Sequence, residues 1–412
     1  MKILTKDTIK PYLIEKQIFP ANAQLTVIDL HEETENIEGY VNLIFRVIDQ
    51  NSGQSVVVKH VLPFMRAAFE WGEVRPMLME RLRTEIAVLT FMGTLYEDIT
   101  PEIFLFDETA GVIVMEDLSD LELLRFEMTN GHPFPGVGQR IGTFLALLFF
   151  YTSDLLMSDK KYLDIKHFFY NEESKRLQDL LFKDNMLINP EKALEPGARE
   201  TQKRILANPE IKKVLASMEE TYLNKNECLI HNDLHSANVM VGGDKVKIID
   251  TEFSGYGPKA VDLGRFTSSL LINYLSWTWY TDCPMETRLS MQAHCLELIA
   301  ELFDSYATTM RKLWDLHRDH SYLLMLINCE NVLKDTFYDT LRYAAVSLVT
   351  RVSSDAAQTC DIRRITDSEA LAALQSRAMD MAEYMLTYTE TLSSLDEFLE
   401  FIRCCAAIER QS

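Results

Sequence analysis

The chain has 412 residues, 47% of them hydrophobic, and a formal net charge of -21. That length exceeds one ordinary domain and suits two lobes with sizeable cores. The acidity argues against nucleic acid or an anionic membrane as a partner through bulk electrostatics, and no apolar run approaches the roughly 18 residues of a membrane span.

The first residues lack the apolar core and cleavage pattern of a secretory leader. The seven cysteines show no paired metal spacing, and Cys404 and Cys405 are adjacent. They read as reduced thiols in a cytoplasmic protein.

Residues 1–35 read as a helical lead-in, with a short helix ending near Pro20 and a first strand over 25–30. A β-branched and aromatic run follows Gly39 and extends to 49. A turn over 50–54 leads to a strand over 55–62 that carries Lys59, so 25–62 predicts a β-meander. A glycine turn over nucleotide phosphates, then a strand lysine, is a kinase arrangement, here with Gly39 alone rather than a full glycine-rich motif. Taken alone, a strand lysine such as Lys59 is more often a surface or edge charge. Pro76 opens a predicted helix over 77–92 with Leu78, Leu82, Ile86 and Leu89 as its apolar stripe. Glu85 lies at the edge of that stripe, where a helix carboxylate can orient a strand lysine toward phosphates.

Strands over 103–106 and 111–115 come next. The second runs into Glu116-Asp117-Leu118-Ser119-Asp120, where a two-lobed kinase crosses between lobes and its backbone meets the adenine edge. Ser119 and Asp120 also suit a helix cap. From about 121 the chain reads as helical: an apolar helix over 139–156, charged helices over 170–225, and an aromatic helix after Phe266. Three longer helical patterns follow over 286–316, 320–349 and 366–390.

Residues 228–266 interrupt that helical part and carry the chemistry. Two apolar runs, 239–241 and 246–249, flank Gly242-Gly243-Asp244, a turn that supplies positive φ cheaply and predicts a β-hairpin. Before it, His231, Asp233 and Asn238 stand at the H-x-D-x-x-x-x-N spacing that gives phosphoryl transfer a proton acceptor and a metal-ligating amide. Asp250 lies 12 residues beyond Asn238. Asp250 and Glu252 alternate on a segment predicted to be extended, so both can face one side. Magnesium prefers such hard oxygen ligands.

Longer blocks repeat the same message. Asn42-Leu43-Ile44-Phe45-Arg46-Val47, Val58-Lys59-His60-Val61-Leu62-Pro63-Phe64-Met65-Arg66, Arg83-Thr84-Glu85, Met115-Glu116-Asp117-Leu118-Ser119 and Thr152-Ser153-Asp154 are spread along the chain. Asp250-Thr251-Glu252-Phe253 leads to Tyr256-Gly257-Pro258 and Asp262-Leu263-Gly264. Together they resemble the 5-methylthioribose kinase family, among the aminoglycoside-phosphotransferase-like and choline-kinase-like small-molecule kinases. Ordinary protein kinases carry D-F-G in place of the D-x-E-F block.

The resemblance implies an α+β, protein-kinase-like two-lobed fold: a nucleotide-binding lobe over 1–117 with a mixed β-sheet, and a mainly helical catalytic and substrate-binding lobe over 118–412. It implies ATP and Mg2+ as cofactors and Asp233 as catalytic base. Asp250, Glu252 and Asn238 are the expected magnesium ligands. Lys59, oriented by Glu85, is expected at the phosphates, with Gly39 and Asn42 in the nucleotide site and Met115, Glu116, Asp117 and Leu118 at the adenine. Asp233, Arg351 and Trp71, in a loop covering the sugar, are the expected substrate residues. Asp262 is expected to brace the catalytic loop.

Two departures stand out. Where the family has H-G-D-x-H-x-x-S, this chain has Asn232 after the histidine and Asn238 in place of the serine. Where the family has two adjacent sugar-holding arginines, this chain has Arg351-Val352, and valine cannot supply a guanidinium fork. The expected reaction is phosphorylation of the anomeric hydroxyl of 5-methylthioribose. Another small alcohol (a pentose, an amino alcohol or an aminoglycoside) is the alternative acceptor. A kinase-fold binding protein without catalysis is the third reading, against which the central polar residues are intact. The expected partners are a small-molecule sugar and, in a homodimer, a second copy of the chain.

Overall fold

The computed structural model describes residues 3–33, 41–66, 76–157, 159–179, 194–353 and 359–405. The chain divides into two compact units. The first unites 1–122 with two short later segments, 171–173 and 240–253. The second holds 123–170, 174–239 and 254–412. All seven cysteines are free thiols. Among the described residues, no helix is long and apolar enough to cross a membrane.

In the first unit, helix α1 (Lys6–Glu15) starts at a capping box in which Thr5 and Thr8 satisfy each other's backbone N–H groups. Strands β1 (Leu25–Asp29), β2 (Leu43–Asp49), β3 (Ser55–His60), β4 (Ile103–Asp107) and β5 (Val112–Glu116) form one antiparallel sheet in the order β1-β2-β3-β5-β4. Side chains on a strand alternate between faces. Phe45, Val47, Val56, Val58, Val112 and Val114 therefore pack with Ile9 and Leu13 of α1. Full burial of each such side chain contributes about 1.5–3 kcal/mol. Val57, Lys59 and Val61 turn to the other face, where Val61, Ile113 and Met115 meet Leu82 of α2 (Arg81–Leu95).

Helix α2 starts four residues later than its sequence pattern predicts, at Arg81 rather than at 77. Two side chains divert the preceding backbone from helical bonding. The Leu78 N–H donates to the Glu173 carboxylate at 2.6 Å, and the Leu78 carbonyl accepts from Arg81 Nη1 at 3.0 Å. The hairpin appears as predicted, with strands Val239–Gly242 and Lys245–Ile248 turning at Gly243, φ +58°. Its second strand is tied down at Ile248, whose N–H donates to the Ile99 carbonyl at 2.7 Å.

The second unit is helical. Helix α3 (Val137–Thr152) packs against α5 (Met285–His317), and α4 (Ala260–Ser276) packs against α6 (Cys329–Ser353). Every residue of α4 is buried, the mark of a central helix. Helix α7 (Ser368–Thr387) covers α6. Gly264 permits the α4–α6 approach: a Cβ there would lie 2.6 Å from the Tyr343 Cβ and 2.9 Å from the Ala344 backbone nitrogen. Short strands Cys228–Ile230 and Gly255–Gly257 pair antiparallel and fix both ends of the loop region that follows Ile230.

Candidate active site

The polar residues gather in two clusters, one in each unit. In the first, strand alternation places Lys59 toward α2, and Glu85 follows Arg81 by one helical turn on the same face. Lys59 Nζ donates to Glu85 Oε1 at 2.7 Å and to Asp250 Oδ1 at 2.6 Å. Burial works against the ammonium, but the carboxylates of Asp250, Glu85 and Glu252 outweigh it and hold Lys59 charged above its ordinary range. Burial pushes the Glu85 carboxyl up to about 7, against the pull of Lys59 and with Asp250 and Glu252 adding to the rise.

An inner layer supports that pair. Arg81 Nε donates to Glu252 Oε2 at 2.7 Å, and neither side chain is exposed at all. Arg81 Nη2 also donates to Asn42 Oδ1 and the Leu62 carbonyl. Asn42 Nδ2 reaches both Glu252 oxygens, at 3.1 and 3.2 Å. The Glu252 carbonyl takes Asn171 Nδ2 at 2.8 Å, and the Thr251 hydroxyl donates to the Glu85 carbonyl.

The segment carrying Asp250 is not extended as its alternation predicts. Asp250 adopts φ +64°, a left-handed conformation tolerated best by glycine, asparagine and aspartate. Its side chain is 36% exposed, whereas that of Glu252 is fully buried. Carboxylate oxygens of Glu85, Asp250 and Glu252 nevertheless lie within 4.8 Å of one another. Glu85 Oε2 is buried with no hydrogen-bond partner among the described residues. Three hard oxygen donors of this kind suit a divalent cation.

In the second unit, the loop after Ile230 is held by Asp262 of α4. Asp262 Oδ2 accepts the His231 N–H at 2.7 Å, and Oδ1 accepts the Asn232 N–H at 2.8 Å. Asn232 takes φ +67°, which explains how asparagine stands in for the family's glycine. Its side chain accepts from the Tyr222 hydroxyl at 2.7 Å and donates to Ser174 Oγ at 3.1 Å. Asn238 Nδ2 donates to the Asp233 carbonyl at 2.9 Å, closing the loop and leaving its amide oxygen as a metal-type donor.

The Asp233 carboxylate is partly exposed and surrounded by nitrogen donors. Arg265 Nη1 lies 2.9 Å from Oδ1, Arg351 Nη2 lies 4.0 Å from the same oxygen, and His235 Nε2 lies 3.6 Å from Oδ2. Burial opposes ionisation of Asp233, but His235, Arg265 and Arg351 outweigh it and hold the carboxylate well below its usual range. His235 is pushed down to about 4 by burial and by Arg351, with Asp233 pulling the other way.

The structure thus joins Lys59, Glu85, Asn42, Asp250 and Glu252 in one cluster, and Asp233, Asn238 and Arg351 in the other. Met115 and Leu118 are buried at the end of β5. The carboxylates of Glu116 and Asp117 are engaged by Lys247 at 3.1 Å and Arg46 at 2.7 Å. Gly39 and Trp71 lie outside the described residues. Sequence reasoning passed over Arg81 and Arg265. An arginine beside an apolar helix stripe resembles a surface charge, and their carboxylate partners are 171 and 32 residues away.

Residues 34–282 match the family described as the phosphotransferase enzyme family. The chain belongs to that family and is a small-molecule kinase that transfers phosphate to an alcohol group. Its curated relatives narrow the class. Methylthioribose kinase of Geobacillus sp. (strain WCH70) is 30% identical over 361 residues, which cover 87% of each chain. Methylthioribose kinase of Bacillus velezensis is 25% identical over 400 residues, 96% of this chain and 95% of the other. Among solved structures, choline kinase from Cryptosporidium parvum Iowa II aligns over 96% of this chain and 100% of its own, with a TM-score of 0.51 and 11% identity. That last likeness is one of fold, and it agrees with the α+β kinase-like class.

Proposed function

We propose that this chain is a magnesium- and ATP-dependent kinase that phosphorylates the anomeric hydroxyl of 5-methylthioribose, in the cytoplasm. The similarity to methylthioribose kinases along 87% of the chain carries the choice of acceptor. The buried Lys59–Glu85 ion pair and the partly exposed Lys59–Asp250 pair support the choice of donor. Lys59 holds the nucleotide phosphates through its ammonium, and residues 115–118 receive the adenine. Asp250, whose carboxylate is accessible, and Glu252 behind it hold the magnesium ion. Bound there, magnesium supplies neutralisation of charge on the phosphates. Arg81 and Asn42 position Glu252.

Asp233 accepts a hydrogen bond from the acceptor hydroxyl and takes its proton as the new oxygen–phosphorus bond forms. The bond between the γ-phosphorus and the bridging oxygen breaks, and ADP leaves. A carboxylate held strongly ionised is a weak base, so its larger contribution is orientation of the hydroxyl. Asp262 keeps the loop in place through its two backbone hydrogen bonds.

The test is ADP release with Mg-ATP across 5-methylthioribose, ribose, choline, homoserine and an aminoglycoside, with product mass read in parallel. Selective phosphorylation of 5-methylthioribose is expected. Asp233→Asn should lose turnover by about 100-fold or more while retaining nucleotide affinity. Full activity in that variant removes Asp233 from the mechanism.

A further inference from the structure

The guanidinium of Arg265 has no part in the reaction as described, yet it is built into the catalytic carboxylate's surroundings. Arg265 lies on α4, three residues after Asp262, and is 6% exposed. Its Nη1 holds Asp233 Oδ1 at 2.9 Å. Its Nη2 is buried with no hydrogen-bond partner among the described residues. Arg351 approaches the same oxygen from the end of α6, at 4.0 Å. Val352, beside it, is buried, and its carbonyl accepts from Gln375 Nε2 at 3.1 Å. Two helices thus each bring one guanidinium to one carboxylate oxygen.

We propose that Arg265, paired with Arg351 around Asp233, sets acceptor specificity: the pair admits neutral, oxygen-rich acceptors and rejects ammonium-bearing ones. The inference rests on the kinase reading above and names the substrate class of that same site. Asp233 alone would attract a cation. With Arg265 in contact, Arg351 just beyond it and Arg125 Nη2 3.3 Å from His235 Nδ1, an incoming ammonium meets three like charges for the two opposite charges of Asp233 and Asp262. Charges this close still interact strongly near a protein surface, so removing one guanidinium cancels that excess. A neutral polyol loses nothing there, since its hydroxyls donate to Asp233 and its oxygens accept from guanidinium N–H groups. His235, held neutral at physiological pH, adds no charge. Arg265 is therefore a specificity residue that acts on the acceptor through its field and through its grip on Asp233.

The experiment compares wild type with Arg265→Gln and Arg265→Lys. It reads kcat/KM for 5-methylthioribose and choline, calorimetric affinity for ribose and choline, and thermal melting. Arg265→Lys keeps the charge and guards against a folding failure in Arg265→Gln. Wild type should favour the neutral acceptor by at least about 100-fold. Arg265→Gln should cut kcat/KM for 5-methylthioribose by about 10- to 100-fold, the loss of one charged hydrogen bond, and bring choline closer to it. Arg265→Lys should lose efficiency with the sugar yet still reject choline. Equal falls for both acceptors in Arg265→Gln, or changes within twofold for both, overturn the proposal. If wild type turns over neither acceptor, the proposed function fails. Calorimetry then decides the pair separately: tighter binding of ribose than choline upholds it, and any other ranking, or binding of neither, sinks it.

Discussion

Replacing Arg81 by methionine should destabilise the first unit more than almost any other single change. The side chains of Arg81 and Glu252 are both completely buried and pair at 2.7 Å. Arg81→Met leaves the Glu252 carboxylate with Asn42 as its only remaining side-chain donor among the described residues, and it also removes a donor from the Leu62 and Leu78 carbonyls. Removing one partner of a buried ion pair costs about 3–5 kcal/mol, because the other charge stays buried without compensation. Replacing both partners by apolar residues is often nearly neutral. The double variant Arg81→Met/Glu252→Met should therefore recover most of the loss, giving a coupling energy above about 2 kcal/mol. Urea unfolding followed by circular dichroism measures the stabilities. Hydrogen exchange over residues 43–60 assigns the loss to the first unit. An Arg81→Met protein within about 1 kcal/mol of wild type would refute the reasoning. So would a double variant as unstable as the single one.

Two further outcomes are expected. The folded state keeps His235 neutral down to about pH 4, whereas the unfolded chain protonates it near its ordinary value of 6.5. Its contribution to stability is therefore complete above pH 6.5 and is lost as pH falls toward 4, by about 3 kcal/mol in all. Denaturant midpoints from pH 7.5 to 4.5 should fall more steeply for wild type than for His235→Asn, and parallel curves would contradict the assignment. Gly264→Ala should cost about 1–3 kcal/mol by overpacking α4 against the α6 backbone, read as a lowered melting temperature. An unchanged melting temperature would show that α6 can give way.

Much of this architecture is local in origin and was legible for that reason. Apolar runs rich in β-branched and aromatic residues over 43–49, 55–60 and 112–116 mark strands, and Gly242-Gly243-Asp244 marks the hairpin. The spacing of Asp233, Asn238 and Asp250 pointed to a phosphoryl-transfer site. What escaped was set by distant partners. The start of α2 depends on Glu173, which takes the Leu78 N–H from 95 residues away. The left-handed turn at Asp250 breaks the alternation that strand periodicity would carry through the segment. Arg265 lies in a helix buried on all sides, where a charge is tolerable only because Asp233 comes to meet it.

The composition of the first unit from three chain segments has a consequence for biosynthesis. As residues 1–122 leave the ribosome they contain the strand lysine and the helix arginine, but not the carboxylates of Asp250 and Glu252 that compensate them, nor the hairpin strand that bonds to Ile99. At about 5–20 residues per second, those partners are translated on the order of ten seconds later. Until then the nascent sheet holds two cations with two of their three carboxylate partners missing. Productive folding of the amino-terminal part is thereby delayed until a distant acidic segment arrives. A truncated or prematurely released chain would lack it, and would fail to fold before it could consume ATP.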